Sequence, residues 1–280
     1  MHVLTADYRA KNASEIFVES LHKTGFAVIT HHPISATLID EVYNEWREFF
    51  ASDSKHQYLF SSATESQDGY FPFRSENAKD YSAKDLKEFY MYYPWGKFPS
   101  TLSNKTRELY NQLNELAGNL LQWVEDLTPP HIRQYFSMTL PEMIKNSPRT
   151  VLRIINYPPL SGNEKAEEVR AAAHEDIDLL TLLPAATATG LQVKDKQNRW
   201  HDVNADHGTI VINAGDMLQM CSQHYYQSTT HRVINPEGVA TNEQRLSMPL
   251  FLHPHDEVKL SNSHTAKSYL KERLRENGLI

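Results

Sequence analysis

Apolar positions in the first half of the chain recur at helical spacing, whereas from about residue 150 they come in short β-type runs. Asn12 and Glu15 stand at capping-box spacing, and Ile16, Phe17, Ser20 and Leu21 follow on one helical face before Gly25 closes the segment. Phe26 to Thr30 reads as a buried strand. A second helix is expected from near Ser35, with Leu38, Val42, Trp46 and Phe49 on one face. A third runs from about Asn104 to Val124 through Leu109, Leu113, Leu116 and Leu120. Residues 52–103 between these two are rich in aromatics and lack periodicity, and a loop of that length in a folded domain is usually functional or disordered.

Beyond Thr150 the expected strands are Thr150 to Tyr157, Leu179 to Leu183, Gly190 to Lys194, Arg199 to Val203, Thr209 to Ile212, Met217 to Cys221, Thr229 to Ile234 and Arg245 to Leu252. Turn residues at 195–198 and 213–215 separate them, with Asn213 and Asp216 read as turn formers. Short, fairly evenly spaced strands predict a mainly β fold with flanking helices, either a sandwich or a jelly roll. A last helix is expected over Thr265 to Leu274, with Gly278 past its end. No linker-like boundary interrupts the chain, so the expectation is one unit over residues 1–280. Within it, residues 1–148 form a mainly helical region packed on the core, 149–255 the β core and 256–280 a helical tail.

Composition narrows the chemistry. One cysteine among 280 residues excludes an internal disulfide framework and any cysteine-rich zinc or iron–sulfur site, so a metal here must be held by imidazole and carboxylate. Fourteen histidines make that feasible. The formal charge of −7 argues against a broad phosphate-binding surface and hence against nucleic acid as a partner. No apolar run approaches the roughly 18 residues needed to span a bilayer, so no membrane partner is expected, and the reading is of a cytoplasmic protein.

The sharpest local feature is His174-Glu175-Asp176. In extended backbone, side chains two apart share a face, so His174 and Asp176 can reach one ion while Glu175 points away. His231 lies 55 residues after Asp176 in another β-type run. Two imidazoles and one carboxylate on one side of an ion make the facial triad of non-haem iron(II), with the remaining positions open to substrate and oxygen. One hairpin further on, Arg245 and Ser247 share a face, and a guanidinium with a hydroxyl can clamp a carboxylate.

These residues carry a resemblance. Arg153-Ile154-Ile155-Asn156-Tyr157-Pro158-Pro159, His174-Glu175-Asp176, Gly190-Leu191-Gln192-Val193, Trp200-His201-Asp202-Val203, Val211-Ile212-Asn213-Ala214-Gly215-Asp216, His231-Arg232-Val233 and Arg245-Leu246-Ser247 stand in family order. Together with the N-terminal stretch from Gly25-Phe26 to Phe50, the chain resembles the iron(II)/2-oxoglutarate-dependent dioxygenases, specifically the isopenicillin N synthase-like group. The resemblance implies a double-stranded β-helix (jelly-roll) core. It also implies iron(II) held by His174, Asp176 and His231, and 2-oxoglutarate with its far carboxylate on Arg245 and Ser247 and a further contact from Tyr157. The implied reaction consumes 2-oxoglutarate and O2, with ascorbate as a supporting reductant, and oxidises a small molecule, most often by hydroxylation, releasing succinate and CO2. Two departures from the pattern are Ile155, where many members have Asn, and the 14-residue interval from His231 to Arg245, which is expected to lengthen a hairpin.

The alternative on the same scaffold is an oxidase or cyclase that does not consume 2-oxoglutarate. A nucleic-acid demethylase is disfavoured because the second arginine of those relatives is replaced here by Phe251, and a non-catalytic binding protein because triad, Arg245 and Ser247 are all present. Arg153 on the Tyr157 face and the aromatic residues Tyr70, Phe71 and Phe73 are candidate substrate-pocket residues. The remaining histidines, including the His31-His32 turn and His253 and His255, are read as outside the metal site, and Cys221 as a buried small hydrophobe.

Overall fold

The structure is a computed structural model, and it describes residues 1–61, 67–77, 83–165 and 167–276. Three long helices form where the helical periodicity places them: α1 (Ala13–Thr24), α2 (Ala36–Ala51) and α3 (Lys105–Leu127). Their apolar stripes, including Phe17 and Leu21, Val42 and Trp46, and Leu109, Leu113, Leu116 and Leu120, are buried against one face of a large sheet. Trp46 satisfies its indole by donating to Thr106 Oγ1 at 2.9 Å, which locks α2 to α3. Asn12 sits at the N-cap of α1 as expected, but its side chain makes no capping hydrogen bond, and the helix start is closed by Ile16 N–H donating to the Asn12 carbonyl. Three short helices, α4 (Pro130–Arg133), α5 (Leu140–Ile144) and α6 (Asp216–Cys221), and the tail helix α7 (Ala266–Glu276) complete the set. Gly278, expected beyond the tail helix, lies outside the described residues.

The strands are β1 (Thr5–Asp7), β2 (Phe26–Thr30), β3 (Gly69–Phe71), β4 (Glu88–Tyr92), β5 (Val151–Tyr157), β6 (Ala171–His174), β7 (Leu180–Pro184), β8 (Leu191–Lys194), β9 (Trp200–Asp202), β10 (Ile210–Ala214), β11 (His231–Val233), β12 (Arg245–Ser247) and β13 (Leu250–Phe251). Nine of them form one sheet in the order β1-β2-β10-β7-β13-β5-β4-β3, with β12 also paired to β5, and the other four form a second sheet, β6-β11-β8-β9. The two sheets enclose an apolar interior built from Phe26, Val28, Phe89, Ile155, Tyr157, Leu191, Val193, Val211 and Val233. On β5 the period of two is explicit: Val151, Ile155 and Tyr157 face this interior, while Leu152 and Ile154 face the helices. The architecture is the jelly-roll core with flanking helices that the strand pattern predicts.

Four of the nine strands in the large sheet come from the first 92 residues. Two of them, β3 and β4, fall in the aromatic stretch that shows no periodicity in the sequence. The reason is burial on both sides: Phe89 and Met91 face the interior and Tyr90 and Tyr92 face the helices, so no polar position alternates with an apolar one. Two expected strands are corrected. Met217 to Cys221 lies in the helix α6, where Met217, Leu218 and Cys221 are buried on one side at i, i+1, i+4 spacing. Arg245 to Leu252 is broken by Pro249, which has no N–H to give to a ladder, into β12 on β5 and β13 between β5 and β7. The 14 residues from His231 to Arg245 do not lengthen a hairpin either. They cross from the small sheet to the large one through a 3-10 turn at Gly238–Asn242. Among the described residues, no helix is long and apolar enough to cross a membrane.

Candidate metal centre

Register brings the first two site residues together. β11 pairs with β6 so that His231 stands directly opposite His174, with ring centroids 4.4 Å apart. The strand β6 ends at His174, so Asp176 arrives from the following loop rather than by strand alternation, fixed by the Asp216 N–H donating to its carbonyl at 2.7 Å. Glu175 turns away and accepts from the Thr230 hydroxyl.

The donor atoms converge. His174 Nε2 and His231 Nε2 lie 3.8 and 3.7 Å from Asp176 Oδ1, and all three ligand atoms fall within 4.8 Å of one another. On each imidazole the other nitrogen faces a backbone carbonyl, Nδ1 of His174 to Ala172 at 2.7 Å and Nδ1 of His231 to Thr229 at 3.1 Å. A carbonyl can only accept, so Nδ1 carries the proton and each Nε2 presents a lone pair to the common point. Asp176 is divided in the same way. Its Oδ2 accepts from Thr181 Oγ1 at 2.6 Å and from Asn213 Nδ2 at 2.8 Å, leaving Oδ1 for the ion.

Electrostatics agree with that arrangement. Burial and the neighbouring His231 hold His174 below its usual value, in the neutral form that ligates. Burial alone would raise Asp176, but His231, His174 and the donors from Thr181 and Asn213 outweigh it and keep the carboxyl below its usual range. Burial and the adjacent Asp176 push Asp178 well above that range. Thr181 gives its single proton to Asp176 at 2.6 Å, and Asp178 Oδ2 accepts from the Leu252 N–H at 2.9 Å. Two imidazole nitrogens and one carboxylate oxygen on one side form a donor set that fits a divalent first-row metal with open positions.

Glycine supports the geometry at one point. Gly25 adopts φ +73°, and a Cβ there would lie 2.3 Å from Thr229 Oγ1, so only glycine lets the end of α1 press against the segment that orients His231.

Arg245, Ser247 and Tyr157 share a face by register, Arg245 opposite Tyr157 and Ser247 opposite Ile155, and all three are buried between the sheets. The Arg245 guanidinium lies 5.1 Å from the Tyr157 ring and donates Nε to the Ala188 carbonyl at 3.0 Å, while its buried Nη1 has no partner. Among the described residues no carboxylate lies within ion-pair distance of it. A second buried guanidinium, Arg170, donates to the Glu243 carbonyl at 2.8 Å, and burial and the neighbouring Arg245 hold its pKa below the usual value. This is a fit for an anionic group. Asn156 points the other way, to Glu88 Oε1 at 2.7 Å, as the alternation of β5 predicts.

A cavity of about 420 Å3 opens on the His174 and Asp176 side of the centre. One wall is a stack of Phe60, Phe71 and Phe89 at 4.5 Å spacing, extended by the Arg153 guanidinium 4.6 Å from the Phe89 ring and 5.5 Å from that of Phe251. Arg153 and Phe71 therefore line it as expected. Tyr70 and Phe73 do not. Tyr70 alternates with Phe71 along β3, so it is buried on the opposite face and donates to Glu88, and Phe73 lies beyond the strand on an exposed turn. The Arg245 cluster does not line this cavity. His253 does line it, with Nδ1 unpartnered and burial lowering the imidazole to about 4, but it stands outside the metal cluster. His255 is turned to the Lys145 carbonyl.

Several residues escape the sequence reading. Asn213, read as a turn former, lies in β10 and holds Asp176, and Asp216 opens α6 and accepts from the Tyr269 hydroxyl at 2.8 Å. Thr181, Asp178, Glu76, Asp85 and Lys87 also belong to the site or its cavity. Thr181 is signalled in the sequence only by its polarity between Leu180 and Leu182, and Glu76, Asp85 and Lys87 stand in a polar stretch that does not mark them out.

Comparison with known proteins decides the family. Residues 148–254 match the 2OG-Fe(II) oxygenase superfamily, and residues 4–115 match the N-terminal region described as non-haem dioxygenase in morphine synthesis. A crystal structure from Shewanella oneidensis, assigned as an oxygenase, is 50% identical with a TM-score of 0.90, each chain covering 100% of the other. The chain belongs to the 2OG-Fe(II) oxygenase superfamily. A Caulobacter crescentus structure assigned to the 2OG-Fe(II) oxygenase family is 27% identical over 98% of both chains, with a TM-score of 0.79. A 2-oxoglutarate-dependent dioxygenase of Aspergillus rugulosus is 27% identical, covering 92% of this oxygenase and 89% of its own length. The oxygenase spans only 65% and 69% of the length of the Jasmonate-induced oxygenases 2 and 3 of Arabidopsis thaliana. Iron(II) and 2-oxoglutarate are the cofactor and cosubstrate of the superfamily, and the converging His174, Asp176 and His231 suit the first of them.

Proposed function

We propose that this oxygenase uses iron(II) and 2-oxoglutarate to oxidise a small molecule, by hydroxylation, with release of succinate and CO2. His174, Asp176 and His231 are the iron ligands, and Arg245, with Ser247 and Tyr157, receives the far carboxylate of 2-oxoglutarate. The substrate occupies the cavity bounded by Phe71, Phe89, Arg153 and Phe251. The observation that carries this reading is a pair of buried, uncompensated charges: Asp176 Oδ1 aimed at two imidazole lone pairs, and Arg245 without an acid. The first calls for a metal cation and the second for a carboxylate, and 2-oxoglutarate bridges the two kinds of site.

When bound, the iron supplies open coordination positions and the oxidising power drawn from O2. The chain's own residues do the rest. His174 and His231 are oriented by their carbonyl contacts, Thr181 and Asn213 keep Asp176 pointing one oxygen inward, and Arg245 fixes the cosubstrate so that it enters in one orientation. The aromatic wall excludes water from the reacting face.

Purified protein supplied with iron(II), ascorbate and 2-oxoglutarate is expected to form succinate, with the rate rising when a substrate is present. His174→Ala is expected to lose both iron binding and succinate formation. Unchanged iron affinity in that variant removes the ligand assignment, and a substrate oxidised without succinate formation favours the oxidase alternative.

A further inference from the structure

Beside the aromatic stack the cavity wall carries an ion-pair lattice that the oxidation chemistry does not need, with Arg153 4.6 Å and Lys87 5.9 Å from the Phe89 ring. Lys87 Nζ lies 2.9 Å from Glu76 Oε2 and 2.8 Å from Asp85 Oδ2, and Arg153 Nη1 lies 3.2 Å from the same Glu76 oxygen. Asp85 is tied back to the metal-bearing strand, its Oδ1 accepting from the Ala172 N–H at 3.0 Å, and its own N–H donates to the Glu76 carbonyl at 3.0 Å. Glu76 is thus held in place from three directions. Two cations face two anions, so the lattice is neutral before any ligand arrives.

That pairing decides what the cavity lacks. Each cation that lines the cavity already faces an acid, Arg153 and Lys87 with Glu76 and Asp85, Arg149 with Asp256 and Arg273 with Glu276, so a substrate carboxylate would have to compete with a carboxylate already in place. Arg153 and Lys87 bind the same Glu76 oxygen, and no described residue donates to the other, Oε1, although Glu76 lines the cavity. The cavity therefore offers an anionic acceptor beside an aromatic stack, on the same side as His174 and Asp176. Acceptors of this kind are strongest toward ionised or polarised N–H donors.

We propose that Glu76 Oε1 is the specificity-determining acceptor of the substrate cavity, and that the substrate is an aromatic or otherwise flat apolar molecule bearing an N–H donor, neutral or ammonium. The ring packs on the Phe71–Phe89 stack, and the N–H–Glu76 contact sets which carbon faces the metal centre. The aromatic wall alone would accept any flat ring; Glu76 makes the choice. This rests on the functional reading above, since the cavity is taken as the substrate site.

The test is calorimetric titration of the iron(II)- and 2-oxoglutarate-loaded protein, kept free of oxygen, with four probes of similar size: benzylammonium, indole, benzofuran and benzoate. Benzylammonium or indole is expected to bind at least ten-fold more tightly than benzofuran, which has no donor, and than benzoate. Their relative order shows whether the donor is charged. In Glu76→Gln the order is expected to shift toward benzoate by ten-fold or more, because Arg153 and Lys87 lose the shared anion. Tightest binding of benzoate to the unaltered protein overturns the proposal, as does binding of none of the four, and the unaltered-protein comparison stands even if the variant does not fold. Probe affinities that Glu76→Gln leaves unchanged also overturn it. A separate 2-oxoglutarate titration in the same protein keeps the two readings apart: its failure strikes the cosubstrate assignment, not the role of Glu76.

Discussion

Arg245 and Arg153 are both held inside the β core, one on β12 and one on β5, and one difference in their surroundings bears on what each can bind. Arg153 has Glu76 at 3.2 Å, and Arg245 has Tyr157 and a backbone carbonyl but no acid. The same contrast divides the anions. Glu76 is paired with two cations, whereas Asp176 is held by the neutral donors Thr181 and Asn213 and faces two imidazoles. Removing a charge from water costs several kcal/mol, and a fold that leaves one uncompensated is holding it for something that arrives later. On this criterion the Asp176–Arg245 region is built to be completed by a metal and a carboxylate, whereas in the Glu76–Lys87–Arg153 region every charge already faces one of opposite sign. Burial is common to both; pairing is what tells a ligand site from a wall.

The contrast breaks most visibly if the two arginines behave alike. Arg245→Leu is expected to raise the dissociation constant for 2-oxoglutarate at least a hundred-fold, about 3 kcal/mol, because it removes a charge-assisted contact made in a dry site. The same change is expected to stabilise the protein without 2-oxoglutarate by about 1 kcal/mol, since an uncompensated buried cation is replaced by an apolar side chain. Equilibrium urea unfolding and a binding titration check the two signs. Arg153→Leu is expected to do the reverse, destabilising by about 2 kcal/mol because Glu76 loses one of its two cations, with the 2-oxoglutarate affinity little changed. Stabilisation in both variants, or destabilisation in both, removes the distinction.

Acid provides the next test. Burial would raise Glu76, but Arg153 and Lys87 outweigh it and lower the carboxyl to about 2 from a usual value of 4.5. A depressed carboxyl contributes stability that is fully present above its unfolded value and is lost as pH falls toward its folded value. The stability difference between the natural protein and Glu76→Gln is therefore expected to be largest above pH 4.5, about 3 kcal/mol, and to disappear as pH falls to about 2. A difference that is constant over that window means that Glu76 carries no charge-dependent load.

How much of this was legible in the sequence depends on whether a residue's role is written in local spacing. The long helices are, because each exposes one side and repeats every 3.6 residues. The pair Arg245 and Ser247 is, because β12 keeps a period of two against β5. The two-residue spacing marks His174 and Asp176 as neighbours, but Asp176 lies past the end of β6, so the loop and not strand alternation supplies the geometry. The aromatic segment hid β3 and β4 because both faces of those strands are buried, so Tyr70 and Phe71 look equivalent in sequence although they point to opposite sides. Asn213, Thr181 and Glu76 were illegible for a different reason. Their partners are distant in the chain, so only the closed sheet brings Asn213 to Asp176 or Glu76 to Arg153.

Asn213 gives the smallest effect and the finest test of the contrast. Its amide donates to the Asp176 oxygen that does not face the imidazoles, and it carries no charge, so it can orient Asp176 without neutralising it. Asn213→Ala is expected to weaken iron(II) binding about ten-fold, the lower end of what loss of a partner behind a metal ligand costs, because Thr181 still holds the same oxygen at 2.6 Å. Thr181→Val in the same background is expected to lose a further factor of similar size, since Asp176 is then free to rotate and share its charge between two oxygens. Metal titration of the two single variants and the double variant separates orientation from charge. If replacing either neutral donor leaves iron affinity unchanged, Asp176 is held in place by its backbone and by the two imidazoles alone. If Asn213→Asp binds iron more tightly than the natural protein, the centre is limited by charge, and the neutrality of its supporting donors is not what keeps Asp176 available to the ion.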